Sequence, residues 1–181
     1  NSNENLESLE GLENLSIIGG SLIIGENDRM NSLNGLNNLS KLGLYSNFYQ
    51  LIWIYDNPLL SNLTALSNLQ TIDDSSIQIE RNPVLTSLQA LHNVAPASVG
   101  DFVKLTNNAQ LTECSISPIC NWFGIGGGES DIVDNNANGC SSTEEILELC
   151  ELSIEEISDF GEITFYPVPA KETLNIHTKN E

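Results

Sequence analysis

Positive charge is what this chain has least of. Six Lys and Arg stand against 25 Asp and Glu, a formal net charge of −19. Binding to nucleic acid requires cationic groups that displace counterions from phosphates, so that class is excluded, and an anionic membrane surface with it. Cationic partners remain open, although the plainest consequence of such a charge is a soluble acidic surface. Histidine is almost as scarce. His92 and His177 form no metal pair, no H-E-x-x-H and no Ser-His-Asp arrangement. The Gly-rich "GIGGGES" (124–130) lacks the Lys-Ser/Thr and following helix of a phosphate loop, and reads as a loop of the last coil. Carboxylates are so abundant that a pair of them says nothing about acid/base or glycosidic chemistry. These absences point away from an enzyme. No apolar run reaches membrane-spanning length, and there is neither an initiator Met nor a signal peptide. The chain opens on "NSNENLESLEGL", already inside a pattern, so a fragment of a longer protein is expected. The missing signal peptide then says nothing about export.

What the chain does have is a repeat. "LIIGEN" ends at Asn27, "IWIYDN" at Asn57, "IQIERN" at Asn82, "VKLTNN" at Asn108 and "DIVDNN" at Asn136. An apolar residue stands three before each Asn: Ile24, Ile54, Ile79, Leu105 and Val133. Four copies carry another five before it (Leu22, Ile52, Ile77, Val103), and Asp131 breaks that column in the last. Leucines follow at plus 3, 6, 9 and 12, as in Leu60, Leu63, Leu66 and Leu69 after Asn57. Leu6, Leu9, Leu12 and Leu15 stand in the same relation to Asn3. Alternation before the Asn predicts a short strand with one buried face. Apolar residues at every third position suit tight turn or 3₁₀ backbone. A unit of this size cannot bury its own face, so successive units stack strand on strand. The Asn is expected in the bend after each strand, its amide satisfying backbone groups that the turn leaves unpaired.

The pattern resembles leucine-rich repeats, and more closely the receptor L-domain-like repeats of bacterial surface proteins, in "NPLLSNLTALSNL" (57–69) and "NPVLTSLQALHNV" (82–94). The resemblance covers about residues 3–140. It departs at "GLYSNFYQ" (43–50) and again at 116–130, where leucines are scarce. It implies a β-rich right-handed parallel solenoid with minor α content and about five coils.

All four cysteines lie in the C-terminal half, at 114, 120, 140 and 150, in a spacing that matches no zinc or redox motif. An even count in an exported chain reads as two disulfides. Three connectivities are possible, and the repeat frame favours Cys114–Cys140 and Cys120–Cys150, which fall near the same columns one coil apart. "SSTEEILELC" (141–150) reads as a short capped helix with early carboxylates. The segment from about 111 to 150 is therefore expected to cap the open end of the solenoid and its last, exposed strand edge.

With minus 5 and minus 3 inward, minus 4 and minus 2 face outward. This places Trp53, Gln78 and Lys104 in one outward row and Tyr55 and Glu80 in the next, the candidate ligand-binding residues. Phe48 and Tyr49 precede the aromatic pair. The competing reading folds Phe48 or Tyr49 back over Trp53 as a local cluster. Ca2+ at Asp56, Asp134 and Asn135 stays open as a cofactor, without D-x-D-x-D-G spacing to support it. The sequons "NLS" (14–16, 38–40) and "NLT" (62–64) follow from the repeat and carry no functional weight.

After Cys150 the frame stops. Residues 151–162 read as a linker, and "ITFYPVPAKETLNI" (163–176) as strand, turn, strand. This tail resembles the start of the C-terminal sorting domain of the type IX secretion system of Bacteroidetes, through Tyr166, Pro167, Pro169, Ala170, Leu174 and Ile176, with Val168 where Asn is usual. The resemblance implies a truncated sorting domain over 163–181, read by secretion machinery. Residues 1–150 are then the solenoid of an extracellular or outer-surface protein. The function expected is non-enzymatic recognition or adhesion, binding a protein or glycan through the strand face. The alternative is a structural spacer within a larger secreted protein.

Overall fold

The computed structural model describes residues 3–43 and 51–152. Its strands, in chain order, are β1 (Ile17–Ile18), β2 (Leu22–Gly25), β3 (Lys41–Leu42), β4 (Leu51–Tyr55), β5 (Ser75–Glu80), β6 (Val99–Thr106) and β7 (Ile132–Asp134). One parallel sheet has the order β2-β4-β5-β6-β7. In it Ile24, Ile54, Ile79, Leu105 and Val133 are register partners along a line. All but Val133 are buried, as are Leu22, Ile52, Ile77 and Val103. The chain therefore has a β-rich, solenoid-like fold in which apolar columns stack on like columns. Fully burying one such Leu or Ile contributes about 1.5–3 kcal/mol.

Each strand ends in the same corner. The residue before every Asn is left-handed: Glu26, Asp56, Arg81, Asn107 and Asn135 have φ between 50° and 59°. For Asn and Asp this conformation is cheap, while Glu26 and Arg81 adopt it at some cost. What holds it is the inter-coil ladder. Glu26 N–H donates to Tyr55 O, Asp56 to Glu80 O, Arg81 to Thr106 O and Asn107 to Asp134 O, at 3.0–3.2 Å. The turn thus bends the chain without giving up the bond to the next coil.

The buried Asn side chains complete the corner. Each amide donates to the next Asn: Asn27 Nδ2 to Asn57 Oδ1 (3.0 Å), Asn57 to Asn82 (3.2 Å), Asn82 to Asn108 (3.4 Å) and Asn108 to Asn136 (3.0 Å). The same nitrogens reach back to strand carbonyls of the preceding coil, Asn57 to Ile24 O, Asn82 to Ile54 O, Asn108 to Ile79 O and Asn136 to Leu105 O. In return the Oδ1 atoms of Asn82, Asn108 and Asn136 accept the backbone N–H of Asn57, Asn82 and Asn108.

Beyond the corner the leucines follow successive i to i+3 turns. Leu60 N–H donates to Asn57 O, Leu66 to Leu63 O and Leu69 to Leu66 O, with 3₁₀ geometry over Thr64–Leu66 and Gln89–Leu91. Further ladders tie the turns of adjacent coils. Ser40 N–H donates to Ser16 O, Gln70 to Ser40 O and Ala95 to Gln70 O, beside the short β1–β3 pair and an isolated bridge from Lys41 to Thr71. A second, exposed Asn column does the same with side chains. Asn38 Nδ2 donates to Glu13 O, Asn68 to Asn37 O and Asn93 to Ser67 O.

The C-terminal part departs from the leucine frame. Where leucines are scarce, the helix α1 (Ser117–Gly124) replaces the leucine turns, with Pro118 in its first turn and Ile119, Trp122 and Phe123 buried. The second helix, α2 (Thr143–Leu152), packs chiefly against α1. Its Ile146 is buried, and Leu147 and Cys150 pack against the core. Of the last strand β7, Ile132 and Asp134 are exposed and Val133 is half-buried. Disulfides join Cys114 to Cys140, between the segments that precede the two helices, and Cys120 of α1 to Cys150 of α2, each with Cα atoms 5.6 Å apart.

Candidate functional site

The outward side of the sheet is set by register. Ile23, Trp53, Gln78, Lys104 and Ile132 form one row across the strands, and Gly25, Tyr55, Glu80, Thr106 and Asp134 the next. Sequence reasoning expects these rows to be solvent-facing and Trp53 and Tyr55 to be exposed together. The structure corrects this. Glu80 is only 4% exposed and Thr106 is buried, while Trp53, Tyr55, Gln78 and Lys104 are half-buried. The exposed members lie on the flanking strands: Ile23 (55%), Ile132 (46%) and Asp134.

The cause is Glu80. Its Oε1 accepts the Trp53 indole N–H (3.0 Å) and a hydrogen bond from Gln78 Nε2. Its Oε2 lies 2.9 Å from Lys104 Nζ and 3.3 Å from Arg81 Nη1, and accepts from Thr106 Oγ1 at 3.4 Å. Burial raises the pKa of this carboxyl. The bonds from Lys104, Gln78 and Trp53 outweigh it and hold the group below the usual carboxylate range. The ionised carboxylate therefore draws side chains of three strands together over itself.

The aromatic pair stands beside this cluster. Trp53 and Tyr55 stack with ring centroids 4.2 Å apart, and the Arg81 guanidinium lies 5.9 Å from the Tyr55 centroid. Tyr55 leans onto β2, where its partner is Gly25. A Cβ at that position would stand 2.2 Å from the Tyr55 ring. Arg81 also grips Asp56 through two parallel bonds of 2.8 Å, and that pairing raises the guanidinium pKa. Asp56, one of the three Ca2+ candidates, thus carries an arginine. Of the other two, Asn135 Nδ2 donates to Asp134 Oδ2 at 2.7 Å. Among the described residues no group of three or more His, Cys, Asp or Glu side chains is placed to hold a metal ion.

Two contributors escape the sequence frame. Arg81 stands at minus 1, a column that the strand alternation does not assign to the outward face. Asp131, which breaks the minus 5 column, accepts from Val103 N–H (2.7 Å), Trp122 Nε1 (3.0 Å) and Gly128 N–H (2.6 Å). It thereby pins the Gly-rich loop and α1 to β6, and the loop is not the loose connection that composition suggests. The signal was present as a charged residue in an otherwise apolar column.

Phe48 and Tyr49 lie outside the described residues, as do Tyr166, Pro167, Pro169, Ala170, Leu174 and Ile176 of the sorting motif and the whole of segment 163–181. No curated protein and no solved structure matches this chain. Residues 1–95, just over half of the 181, match the model of the Receptor L domain, and the chain belongs to that family.

Proposed function

We propose that this chain is a recognition module that binds a protein or glycan through the outward strand face, in a protein displayed outside the cell. Receptor L domains are extracellular, non-enzymatic and ligand-binding, and the two disulfides fit an extracellular protein. The observation that carries the proposal is the Glu80 cluster. It fixes Trp53, Gln78, Lys104 and Arg81 in one geometry across β4, β5 and β6, so little side-chain entropy is lost when a partner docks. Aromatic residues and Arg in a fixed array, with exposed Ile at both ends, have the composition of an interface centre.

Replacing Trp53 and Tyr55 together by Ala tests the face. Capture of ligands from glycan and protein arrays should fall by at least tenfold while the protein stays folded. Unchanged capture removes the strand face from consideration and favours the spacer reading. The tail supports display at the cell surface: residues 163–181 are proposed as the start of a type IX sorting signal. In a secreting host, full-length protein with Tyr166→Ala and Pro167→Ala should stay inside the cell envelope, and normal export would remove that assignment.

A further inference from the structure

The chain contains two Asn-Gly pairs, Asn34–Gly35 and Asn138–Gly139. An Asn followed by Gly is open to intramolecular deamidation, because no side chain on the second residue shields its nitrogen. That nitrogen attacks the Asn Cγ, the N–Cγ bond forms and the Cγ–Nδ2 bond breaks. The amide leaves as ammonia, carrying the proton of the glycine N–H. Water then opens the five-membered imide on either side, giving Asp or its β-linked isomer. The fold sets both pairs in the same kind of turn. Leu36 N–H donates to Leu33 O (3.1 Å) and Cys140 N–H to Ala137 O (3.0 Å), with Gly35 at φ +107° and Gly139 at φ +98°. Each turn needs its glycine, since a Cβ would stand 1.8 Å from Leu9 O at Gly35 and 2.4 Å from Thr112 O at Gly139.

Both Asn side chains are exposed; what differs is how the peptide that follows each one is held. Ring closure requires that peptide to rotate until its nitrogen faces Cγ. At Asn34 the carbonyl accepts Leu9 N–H from the preceding coil (2.9 Å), Gly35 N–H donates to Asn37 Oδ1 (3.1 Å), and Gly35 is buried. Rotation there breaks both bonds and turns the peptide against the Leu9 backbone. Among the described residues nothing is hydrogen-bonded to the carbonyl or the side-chain amide of Asn138, and only the Gly139 N–H is held, by the Glu145 carboxylate. We propose that Asn138 is a deamidation site of the folded protein and that coil packing protects Asn34. The site lies at a junction. Asn136 Nδ2 donates to Leu105 O (2.7 Å) and, across the turn, to Cys140 O (3.0 Å), and Cys140 is bonded to Cys114. The β-linked product adds one backbone carbon inside that turn, so ageing of Asn138 loosens the last rung of the Asn ladder and leaves the earlier rungs intact.

The test is storage of the whole chain at mildly alkaline pH and body temperature, with peptide mass spectrometry to locate Asp and β-linked Asp. In the folded protein both should accumulate at residue 138 about tenfold faster than at residue 34, a ratio that the two extra bonds at Asn34 suffice to produce. In urea with the disulfides reduced, the two residues should react at similar rates. Equal rates in the folded protein overturn the proposal, as does faster reaction at Asn34. A difference of the same size in urea also overturns it, by assigning the contrast to local sequence. Asn138→Gln should fold with an unchanged Tm, because the side chain has no bond to lose, and should abolish the fast release of ammonia. Ammonia released at the parent's rate would place the reaction elsewhere and sink the assignment. In protein converted to the β-linked form, amide exchange at Cys140 should rise while exchange at Asn82 stays as it was; unchanged exchange at Cys140 overturns the loosening of the last rung.

Discussion

Replacing Asn82 by Ala is the sharpest test of the corner ladder. The residue is fully buried, and its Nδ2 donates to Ile54 O (2.9 Å), Glu80 O (3.0 Å) and, more weakly, Asn108 Oδ1 (3.4 Å). Its Oδ1 accepts the backbone N–H and the amide of Asn57, both at 3.2 Å. Alanine removes all five and leaves buried groups of two neighbouring coils without those partners. A buried group left unsatisfied costs about 1–3 kcal/mol, and the Asn57 N–H and Ile54 O are the two most exposed to that penalty. Adding the vacated volume, the expected loss is about 3–5 kcal/mol. That corresponds to a fall in Tm of about 6–20 °C for a chain of this size. Urea unfolding followed by circular dichroism measures the energy, and amide exchange at Asn57 should accelerate in the same variant. Asn27→Ala, at the first strand of the sheet, loses among the described residues two bonds, from its amide to Gly25 O and to Asn57 Oδ1, and should cost about 1–2 kcal/mol. A cost below about 1 kcal/mol for Asn82→Ala, or equal costs at both positions, would refute the ladder argument.

Two further outcomes follow from the same geometry. Glu80 has a folded-state pKa below its unfolded value of about 4.3, so the stability it contributes is present above that pH and is lost as pH falls through the lower folded value. Acid titration of stability should therefore show a component that Glu80→Gln abolishes, and an identical acid profile in the variant would contradict the assignment. Glycine substitutions should separate two kinds of crowding: at Gly35 (φ +107°) a Cβ would stand 1.8 Å from Leu9 O, a backbone atom, so Gly35→Ala should cost more than the usual 1 kcal/mol or so of a helix or strand glycine exchange, in the opposite sense. At Gly25 the nearest atoms to an added Cβ belong to the Tyr55 ring, a side chain and not backbone, so Gly25→Ala should cost less than Gly35→Ala and alter the near-UV circular dichroism of the Trp53–Tyr55 stack; an equal or larger loss of stability at Gly25 would count against that picture.

The strand frame was legible because one physical constraint, burial of like residues on like, repeats along the chain. Ile54 and Ile79 fall in register for the same reason that both stand three before an Asn. The outward rows were legible in position but not in exposure. Alternation says which way Glu80 points, but not that Lys104 and Arg81, from different coils, close over it. Side-chain networks depend on lengths and charges across coils, and a single-coil pattern carries none of that. The exposed Asn column at 38, 68 and 93 was written in "NNL", "SNL" and "HNV", yet it was hidden because exposed Asn residues in a Leu–Asn repeat look like filler.

The breaks in the frame proved as informative as its regularities. Every stacked coil has its minus 5 residue covered by the next one, so an apolar side chain there gains burial. Asp131 precedes the last strand of the sheet, where among the described residues no further strand follows. An apolar residue at that position would gain less, whereas a carboxylate can accept the N–H of Val103 and the donors of Trp122 and Gly128 at once. The same substitution in an inner coil, Ile77→Asp for instance, would bury an unpaired charge in a stack of Ile and Val. A polar residue in an apolar column therefore marks the point at which stacking gives way to a different closure. Here that closure is α1, its Trp122 held by Asp131 and its Cys120 bonded to α2.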